Sequence, residues 1–493
     1  VRCRTLALAL RERGAEVEFV CREHSGQLMG DLSLDSIPVT LLPAPETSAK
    51  GEDYAAWLGL PQETDAAQTI GALKGGRPDW IVADHYGLDV AWERLLKPHC
   101  GQIFVIDDLA NRPHGCDVLL DQNYFANARS RYTALVPRDC RLLLGPEYAL
   151  LRPEYAALRR GPSPRGAISR VLVFFGGSDL RNLTGMALEA LSQPEFQQWR
   201  VDVVAPPTHP YRVQLDEMAA RRGGTEVHGS LPHLAGLMAA ADLAIGAGGT
   251  TTWERLCVGL PSLVISVAEN QVTICDELAR LGLIGYLGKA ENVTASDVAA
   301  GLRLMAQRLP ALEEQRLRGQ QLVDGFGAKR VAEVLHPSGA RALNVRAANE
   351  NDLLIYFNWV NDPEVRQHSL DQEPVSLAGH TEWFRRRLGD SETQLYLLEA
   401  FGLPAGQIRF QRVGKDTRIA YSLDGRFRGR GWGAELVRLG MQRLLEQSQD
   451  AGRRFIAEVK TDNPASAAIF RKLGFDEEYV EESHLLVFTQ TRR

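Results

Sequence analysis

Three glycine-rich turns in this 493-residue chain each lie between a strand-like apolar run and a helix-like one. Arg426-Phe-Arg428-Gly429-Arg430-Gly431-Trp-Gly433 separates Arg418–Leu423 from Ala434–Gln447. Glycines at such a turn let backbone N–H groups approach a pyrophosphate, and the helix N-terminus adds partial positive charge. Gly246-Ala-Gly248-Gly249-Thr250-Thr-Thr252-Trp-Glu254 follows another strand-like run and opens a helix with Thr hydroxyls. It reads as a diphosphate site, with Glu254 about one turn inside the helix and able to accept from a ribose diol. Phe174-Phe-Gly176-Gly177-Ser178-Asp179-Leu-Arg-Asn182 is the third turn. Each turn, taken alone, also fits a purely structural bend.

The elements that carry these turns are legible from periodicity. An amphipathic helix covers Arg2 to Arg13, and strand-like runs follow at Ala15–Val20, Trp80–Asp84, Gln102–Ile106 and Val118–Asp121. A second series comprises Arg170–Phe175, Val201–Val204, Asp242–Ile245 and Ser262–Ile265. Brief apolar runs separated by helical stretches describe buried parallel strands of an α/β protein. Arg- and Pro-rich text between Tyr148 and Ser169, including Gly161-Pro-Ser-Pro164, predicts a joint between two such sheets. Ligands of these sheets sit beyond the carboxyl ends of strands, so the cleft between them is the expected site. His336-Pro-Ser-Gly-Ala340 predicts a linker. From about Asn344 the pattern changes to helices and then an antiparallel-looking series, Gln394–Ala400, Gly406–Val413 and Arg418–Leu423. The predicted domains are 1–155, 156–335 and 344–493, with the linker at 336–343.

A net charge of −6 provides no general attraction to nucleic acid or an anionic membrane, so anionic ligands need local positive sites. The longest apolar runs, such as Ser262–Ala268, fall far below the ~20 residues of a membrane-spanning helix. No secretory signal is visible at the start, and seven scattered cysteines without a Cys-x-x-Cys pair fit a reducing compartment. The expectation is a cytoplasmic protein that needs no metal.

The Arg-x-x-Gly-x-Gly spacing, together with Asn463-Pro-Ala-Ser466-Ala-Ala-Ile-Phe470-Arg-Lys472-Leu-Gly474-Phe475, resembles the GNAT superfamily of N-acetyltransferases over roughly residues 344–485. The resemblance implies acetyl-CoA as co-substrate, with Arg428, Gly429, Arg430, Gly431 and Gly433 at its pyrophosphate. It also implies a splayed strand around Tyr421 to Leu423 offering backbone groups to the pantetheine, with Asn463 and Ser466 near the pantetheine end. The chemistry requires a deprotonated amine, attack on the thioester and protonation of the departing thiolate. Backbone N–H groups at the splay can stabilise the oxyanion. Many relatives use a Tyr at the position of Phe470 as general acid, and Phe470 has no proton to give. Glu458, on the predicted strand Phe455–Val459, is the candidate base, acting directly or through water, or else a solvated strand residue.

Asn358-Trp359-Val-Asn361-Asp362-Pro363-Glu-Val-Arg366, His380-Thr-Glu-Trp383-Phe384 and Gly406-Gln-Ile-Arg409-Phe410 are similar to a subgroup that acetylates amino groups on nucleotide-linked sugars. Trp359 and Trp383 then either stack on a base or sugar or belong to the core, and Arg366 or Arg409 meets phosphate.

The turns after Phe174 and Ile245 resemble nucleotide-sugar enzymes of the GT-B architecture, two Rossmann-like domains flanking a cleft. The closer resemblance is to hydrolases of UDP-2,4-diacetamido-2,4,6-trideoxy-altropyranose, from pseudaminic acid biosynthesis. It rests on Trp57-Leu-Gly59, Asp84-His85-Tyr86-Gly-Leu-Asp89, Ile106-Asp107-Asp108, Cys116-Asp117-Val-Leu-Leu-Asp121-Gln-Asn123, Leu144-Gly-Pro-Glu-Tyr148 and Gly246 to Gln271, and covers about residues 1–335. It implies metal-free cleavage of the sugar–UDP bond by water. Glu254 and Asn270 would hold the nucleotide, and Gly177, Asn182, Gly248, Gly249 and Thr250 the phosphates. Asp84 and His85 are the catalytic candidates, with Tyr86 beside them. Asp107 and Asp108 either join them or simply end a strand, and His24 and His228 are assigned to surface or packing.

Members of that family carry a first strand and a Gly-x-Gly-His loop, whose His is the base, ahead of the Arg matching Arg2. This sequence starts at Val1, inside the first helix, with that strand missing. The expectation is an impaired hydrolase, since a lost general base typically costs ~10²–10⁴ in rate, unless His85 substitutes. The two implied reactions are successive: N-acetylation of UDP-4-amino-4,6-dideoxy-N-acetyl-altrosamine, then release of UDP from the product. The alternatives are a GT-B glycosyltransferase fused to an acetyltransferase, or a non-catalytic UDP-sugar-binding module attached to one.

Overall fold

The computed structural model describes residues 1–23, 35–45, 55–159, 167–177, 179–337, 343–369, 371–447 and 453–492. His24, Ser178, the Pro-rich joint at 161–164 and linker residues 338–342 lie outside the described residues. Val1–His336 forms one compact unit and Pro337–Arg493 a second.

In the first unit, α1 (Arg2–Arg11) precedes two short strands, β1 (Phe19–Arg22) and β2 (Val39–Leu42), which pair in parallel with each other. After α2 (Gln62–Ala72), β3 (Trp80–Ala83), α3 (Val90–Leu96), β4 (Gln102–Ile106), β5 (Val118–Asp121) and β6 (Arg141–Leu144) build a four-stranded parallel sheet in chain order. Phe104 and Ile106 face one side of it, while Ile103 and Val105 pack with Trp92 and Leu96 of α3 on the other. Burial of both faces is why β4 and β5 read as unbroken apolar runs.

The second half of this unit runs β7 (Arg170–Phe174), α4 (Leu183–Leu191), β8 (Arg200–Val204), α5 (Arg212–Arg222), β9 (Thr225–His228), β10 (Leu243–Ala247), α6 (Thr251–Val258), β11 (Ser262–Ser266), α7 (Glu269–Arg280) and β12 (Gly285–Lys289). Its six strands are all parallel, in the order β12-β11-β10-β7-β8-β9. Chain order reverses between β10 and β7, which makes their carboxyl ends the topological switch point, where such sheets bind ligands.

Helices α8 (Ala295–Ala306) and α9 (Leu309–Leu322) follow, and α10 (Gly327–Leu335) then returns to the first sheet. There Ala328, Val331 and Ala332 pack with Leu6 of α1 and with Phe104 and Leu120. A Cβ on Gly327 would lie 2.2 Å from the Ala149 carbonyl oxygen and 2.5 Å from the Tyr148 carbonyl carbon, both backbone atoms that have nowhere to move. Gly327→Ala is therefore expected to destabilise the first unit by about 1–3 kcal/mol. Urea unfolding monitored by tryptophan fluorescence checks this, and an unchanged midpoint would contradict the packing.

The second unit is a seven-stranded sheet in the order β13-β14-β15-β16-β17-β19-β18. Its strands are β13 (Leu343–Ala347), β14 (Thr393–Ala400), β15 (Leu403–Val413), β16 (Asp416–Leu423), β17 (Arg453–Lys460), β18 (Asp476–Val480) and β19 (Leu485–Arg492). All neighbours are antiparallel except β16 and β17. Helices α11 (Leu353–Val360), α12 (Pro363–His368) and α13 (Leu377–Leu388) precede β14, α14 (Trp432–Gln447) follows β16 and α15 (Pro464–Lys472) follows β17. The α/β class and the change from parallel to mixed sheet agree with the sequence reading.

Candidate functional site

In the first unit the carboxyl ends of β7 and β10 lie side by side, with Gly246 opposite Phe174. Close packing demands glycine here: a Cβ on Gly246 would meet the Phe174 carbonyl oxygen at 2.4 Å, and one on Gly248 the Cys275 Sγ at 2.4 Å. Gly177 has open space around it.

The two turns differ in what holds their helix N-termini. After β7, the buried Asp179 carboxylate accepts from the N–H groups of Leu183 (2.9 Å) and Thr184 (2.8 Å). Asn182, at φ 52°, accepts from the Gly185 N–H and donates to Gln214. The chain thus caps α4 with its own side chains, and the amide expected at the phosphates is engaged in that cap. At α6, by contrast, Thr250 is exposed and makes no side-chain cap bond among the described residues. This N-terminus, behind Gly248 and Gly249, keeps the field and donors suited to an anion. Exposed Asn270 opens α7, which also lacks a side-chain cap, and Gln271 behind it accepts from the Val267 N–H.

Glu254 is half-buried in the first turn of α6 and hydrogen-bonded to the Tyr155 hydroxyl, which also accepts from the Leu234 N–H. Burial pushes the Glu254 carboxyl up to about 7, against the opposing pull of Tyr155 and Arg255. Trp253 donates to Asn123 at 3.1 Å, tying α6 to the chain just beyond β5.

Along the edge of the first sheet, Asp84 follows β3, Asp107 and Asp108 follow β4, and Asp121 ends β5. Arg2 pairs with Asp84 at 2.6 Å and with Asp108 at 3.6 Å. Burial raises the Asp84 carboxyl, but the hydrogen bonds and charge of Arg2 outweigh it and hold Asp84 below the usual range. The Tyr132 hydroxyl bridges Asp121 (3.0 Å) and Asp107 (3.2 Å), which pair with Arg131 and Arg112 respectively. Burial pushes Asp121 up to about 7 despite Arg131 and the Asn123 N–H. Asp107 and Asp108 therefore both end a strand and join the cluster.

The His85 Nδ1 accepts the Gly87 N–H at 2.9 Å. An amide can only donate, so a neutral His85 carries its proton on Nε2. In this arrangement Nδ1, the lone pair a substitute base would use, is engaged by the backbone. Tyr132, Arg131 and Tyr155 escaped the sequence reading because nothing in their spacing announces them.

In the second unit β16 and β17 pair at Asp416–Arg418 and Arg454–Ile456, then diverge. From Ile419 to Leu423 the edge of β16 facing β17 carries no ladder partner among the described residues, although its other edge stays paired to β15 through Leu423. Gly429 and Gly431 both have φ +76° and open space where a Cβ would point, so their conformation, not crowding, calls for glycine. Gly433 serves packing instead: its Cβ would lie 2.4 Å from Ile469 Cδ1, so it closes α14 onto α15. These features fit the extended pantetheine and the pyrophosphate of acetyl-CoA.

Arg430 lies 5.2 Å over each of the stacked rings of Phe427 and Trp432. Arg428, expected at the pyrophosphate, turns instead to Asp362 (2.8 Å) and Glu364 at the start of α12. Asn463 caps α15 by accepting from the Ser466 N–H, and the Tyr421 hydroxyl donates to Ser466 Oγ at 2.9 Å.

Trp359 is 6% exposed and donates to Asp424 at 2.8 Å, so it belongs to the core and presents no stacking face. Half-buried Trp383 keeps that possibility, with the Arg409 guanidinium 5.5 Å from its ring. Arg366 is engaged by the Glu373 carbonyl and Ser369. Glu458 is exposed on β17, 3.5 Å from Arg418.

Among the described residues, one group of side chains brings three metal-ligating atoms together: Asp202, Glu226 and His228. Arg170 also lies on Asp202 at 2.9 Å, and His228 Nε2 lies 2.8 Å from the same carboxylate. No described helix is long and apolar enough to cross a membrane.

Residues 342–476 match the family described as the acetyltransferase (GNAT) domain. An uncharacterized protein of Methanocaldococcus jannaschii is 21% identical over 415 residues, 82% of either chain, a length that must include parts of both units. The spore coat polysaccharide biosynthesis protein SpsG of Bacillus subtilis is 29% identical over 212 residues, 43% of this chain and 62% of SpsG. The UDP-2,4-diacetamido-2,4,6-trideoxy-beta-L-altropyranose hydrolase of Campylobacter jejuni is 25% identical over 275 residues, 56% of this chain and 90% of that one. Among solved structures, the ribosomal L7/L12 alpha-N-protein acetyltransferase RimL in complex with coenzyme A covers 31% of this chain at 22% identity and TM-score 0.28, with 96% of its own length matched.

The second unit carries the acetyltransferase (GNAT) domain over residues 342–476. The first unit is a Rossmann-like region distantly related to SpsG and to the UDP-sugar hydrolase.

Proposed function

We propose that the second unit acetylates the amino group of a UDP-linked amino sugar, and that the first unit binds the product and releases UDP by hydrolysis. The substrates would be UDP-4-amino-4,6-dideoxy-N-acetyl-altrosamine and its acetylated product, the two successive reactions of pseudaminic acid biosynthesis. The observation that carries the reading is the uncapped N-terminus of α6 behind Gly248–Gly249 at the switch point, in a chain that also holds a GNAT splay. It takes the nucleotide diphosphate at α6, with the ribose diol on Glu254 and Asn270 beside it. Pantetheine would lie along the free edge of β16, whose N–H groups would stabilise the oxyanion formed as the amine attacks. Glu458 would take the amine's proton directly or through water. Tethering the two units raises the local concentration of the shared intermediate.

A second reading makes the first unit a UDP-sugar-binding module. What favours it is the engagement of both catalytic candidates, Asp84 by Arg2 and the His85 lone pair by Gly87. Mass spectrometry of the chain with acetyl-CoA and the UDP-4-amino sugar separates the readings. Free diacetamido sugar plus UDP is the result expected of the primary proposal. An acetylated UDP-sugar that persists supports the binding module, and UDP release that needs an added acceptor supports a glycosyltransferase. Unchanged substrate would sink the assignment of the acceptor.

A further inference from the structure

Collapse of the thioester adduct leaves an electron pair on sulfur, and a group close to that sulfur must supply a proton. Phe470 of α15 cannot, since it is 1% exposed and sits in an aromatic cluster with Phe475 and Phe488. Its neighbour across the splay is Tyr421, on the part of β16 whose outer edge is unpaired. The two rings meet edge to face with centroids 5.9 Å apart. The Tyr421 hydroxyl reaches Ser466 Oγ, one turn before Phe470 on α15.

We propose that Tyr421 is the proton donor to the coenzyme A sulfur, with Ser466 as its relay, in the place that Phe470 leaves without a hydroxyl. This rests on the acetyltransferase reading above. The amine nitrogen forms a bond to the acetyl carbon, the C–S bond breaks with its electron pair going to sulfur, and the Tyr421 O–H proton follows to give the free thiol. The phenolate regains a proton through the Ser466 hydroxyl, matched by the proton that the nitrogen gives up by way of Glu458. Burial pushes the Tyr421 phenol up to about 12, so it enters each cycle protonated. The Ser466 hydroxyl pulls in the other direction, as a partner that stabilises the transient phenolate should.

The test uses the full chain, Tyr421→Phe, and Tyr421→Phe combined with Phe470→Tyr. Tyr421→Phe is expected to bind CoA within threefold of the parent by calorimetry and to lose about 100-fold in kcat with KM held. Returning a hydroxyl through Phe470→Tyr should recover at least about tenfold of it. Independently of any acceptor, the thiol of bound CoA, followed by thiolate absorbance, should titrate about one pH unit higher in Tyr421→Phe, since the thiolate has lost its donor. If the parent acetylates no UDP-amino sugar, the acceptor assignment fails while the thiol titration still decides Tyr421. A Tyr421→Phe protein with kcat within threefold of the parent and an unmoved thiol titration overturns the proposal, as would a parent chain that binds no CoA.

Discussion

Gly431→Val is expected to weaken binding of CoA to this chain by about 100-fold or more, with the second unit still folded. At φ +76° a β-branched residue is strained by roughly 1–2 kcal/mol, and the turn relieves the strain by rotating out of the left-handed region. That rotation re-aims the N–H groups ahead of α14, and each charge-assisted hydrogen bond lost to a pyrophosphate is worth about 1.5–3 kcal/mol. One such bond together with the strain comes to about 2.5–5 kcal/mol, a range that spans the ~2.7 kcal/mol corresponding to 100-fold. Apart from its chain neighbours, no atom of the described residues lies within 4 Å of the Cβ position, so the substitution creates no clash in the core and the circular dichroism melt should scarcely move. Isothermal titration with CoA reads the effect. Near-parental affinity would show that the turn does not hold the cofactor. Gly433→Val is a useful contrast, because the contact with Ile469 makes it fail through packing and melt earlier.

The second large effect is a pH dependence of the first unit. Burial holds Glu254 at about 7 in the folded chain against an ordinary value of 4.5. A raised carboxyl binds its proton more tightly when folded, so its contribution is fully present below about pH 4.5 and is lost as pH rises through 7. Above that, the ionised group costs the fold on the order of 3 kcal/mol. Glu254→Gln removes the titration. The variant should match the parent near pH 4 and exceed it by about 3 kcal/mol near pH 8 in urea unfolding. Asp121 contributes a slope of the same sign to both proteins and cancels in the difference. A stability gap that is the same at both pH values would refute the assignment. The same titration bears on binding: a ribose diol donates to the ionised carboxylate, so UDP affinity should rise more steeply from pH 6 to pH 8 in the parent than in Glu254→Gln, where only the phosphate of UDP titrates.

The sequence by itself determined what repeats along a single segment. Gln102–Ile106 and Val118–Asp121 were legible to the residue, because strands buried on both faces admit only apolar side chains between polar ends. The turns at Gly248 and at Gly429–Gly431 were legible because a left-handed or crowded backbone admits only glycine. β9 (Thr225–His228) and β12 (Gly285–Lys289) were not, being half-exposed and mixed in polarity.

Tertiary structure decided what depends on residues far apart in the chain. Asp179 and Asn182 cap the helix behind the first of two similar turns, while the second has no side-chain cap among the described residues. The Gly87 N–H fixes the proton on His85, and Asp424, 65 residues on, draws Trp359 into the core. Asp362, 66 residues before it, takes Arg428 from the pyrophosphate turn. Tyr421 meets Ser466 across 45 residues, and that meeting gives Phe470 a neighbour with a proton to lend. A side chain's type sets which bonds it can make. Which one it does make is settled by whatever buried partner the fold brings within 3 Å, since an unmatched buried polar group costs more than almost any local preference.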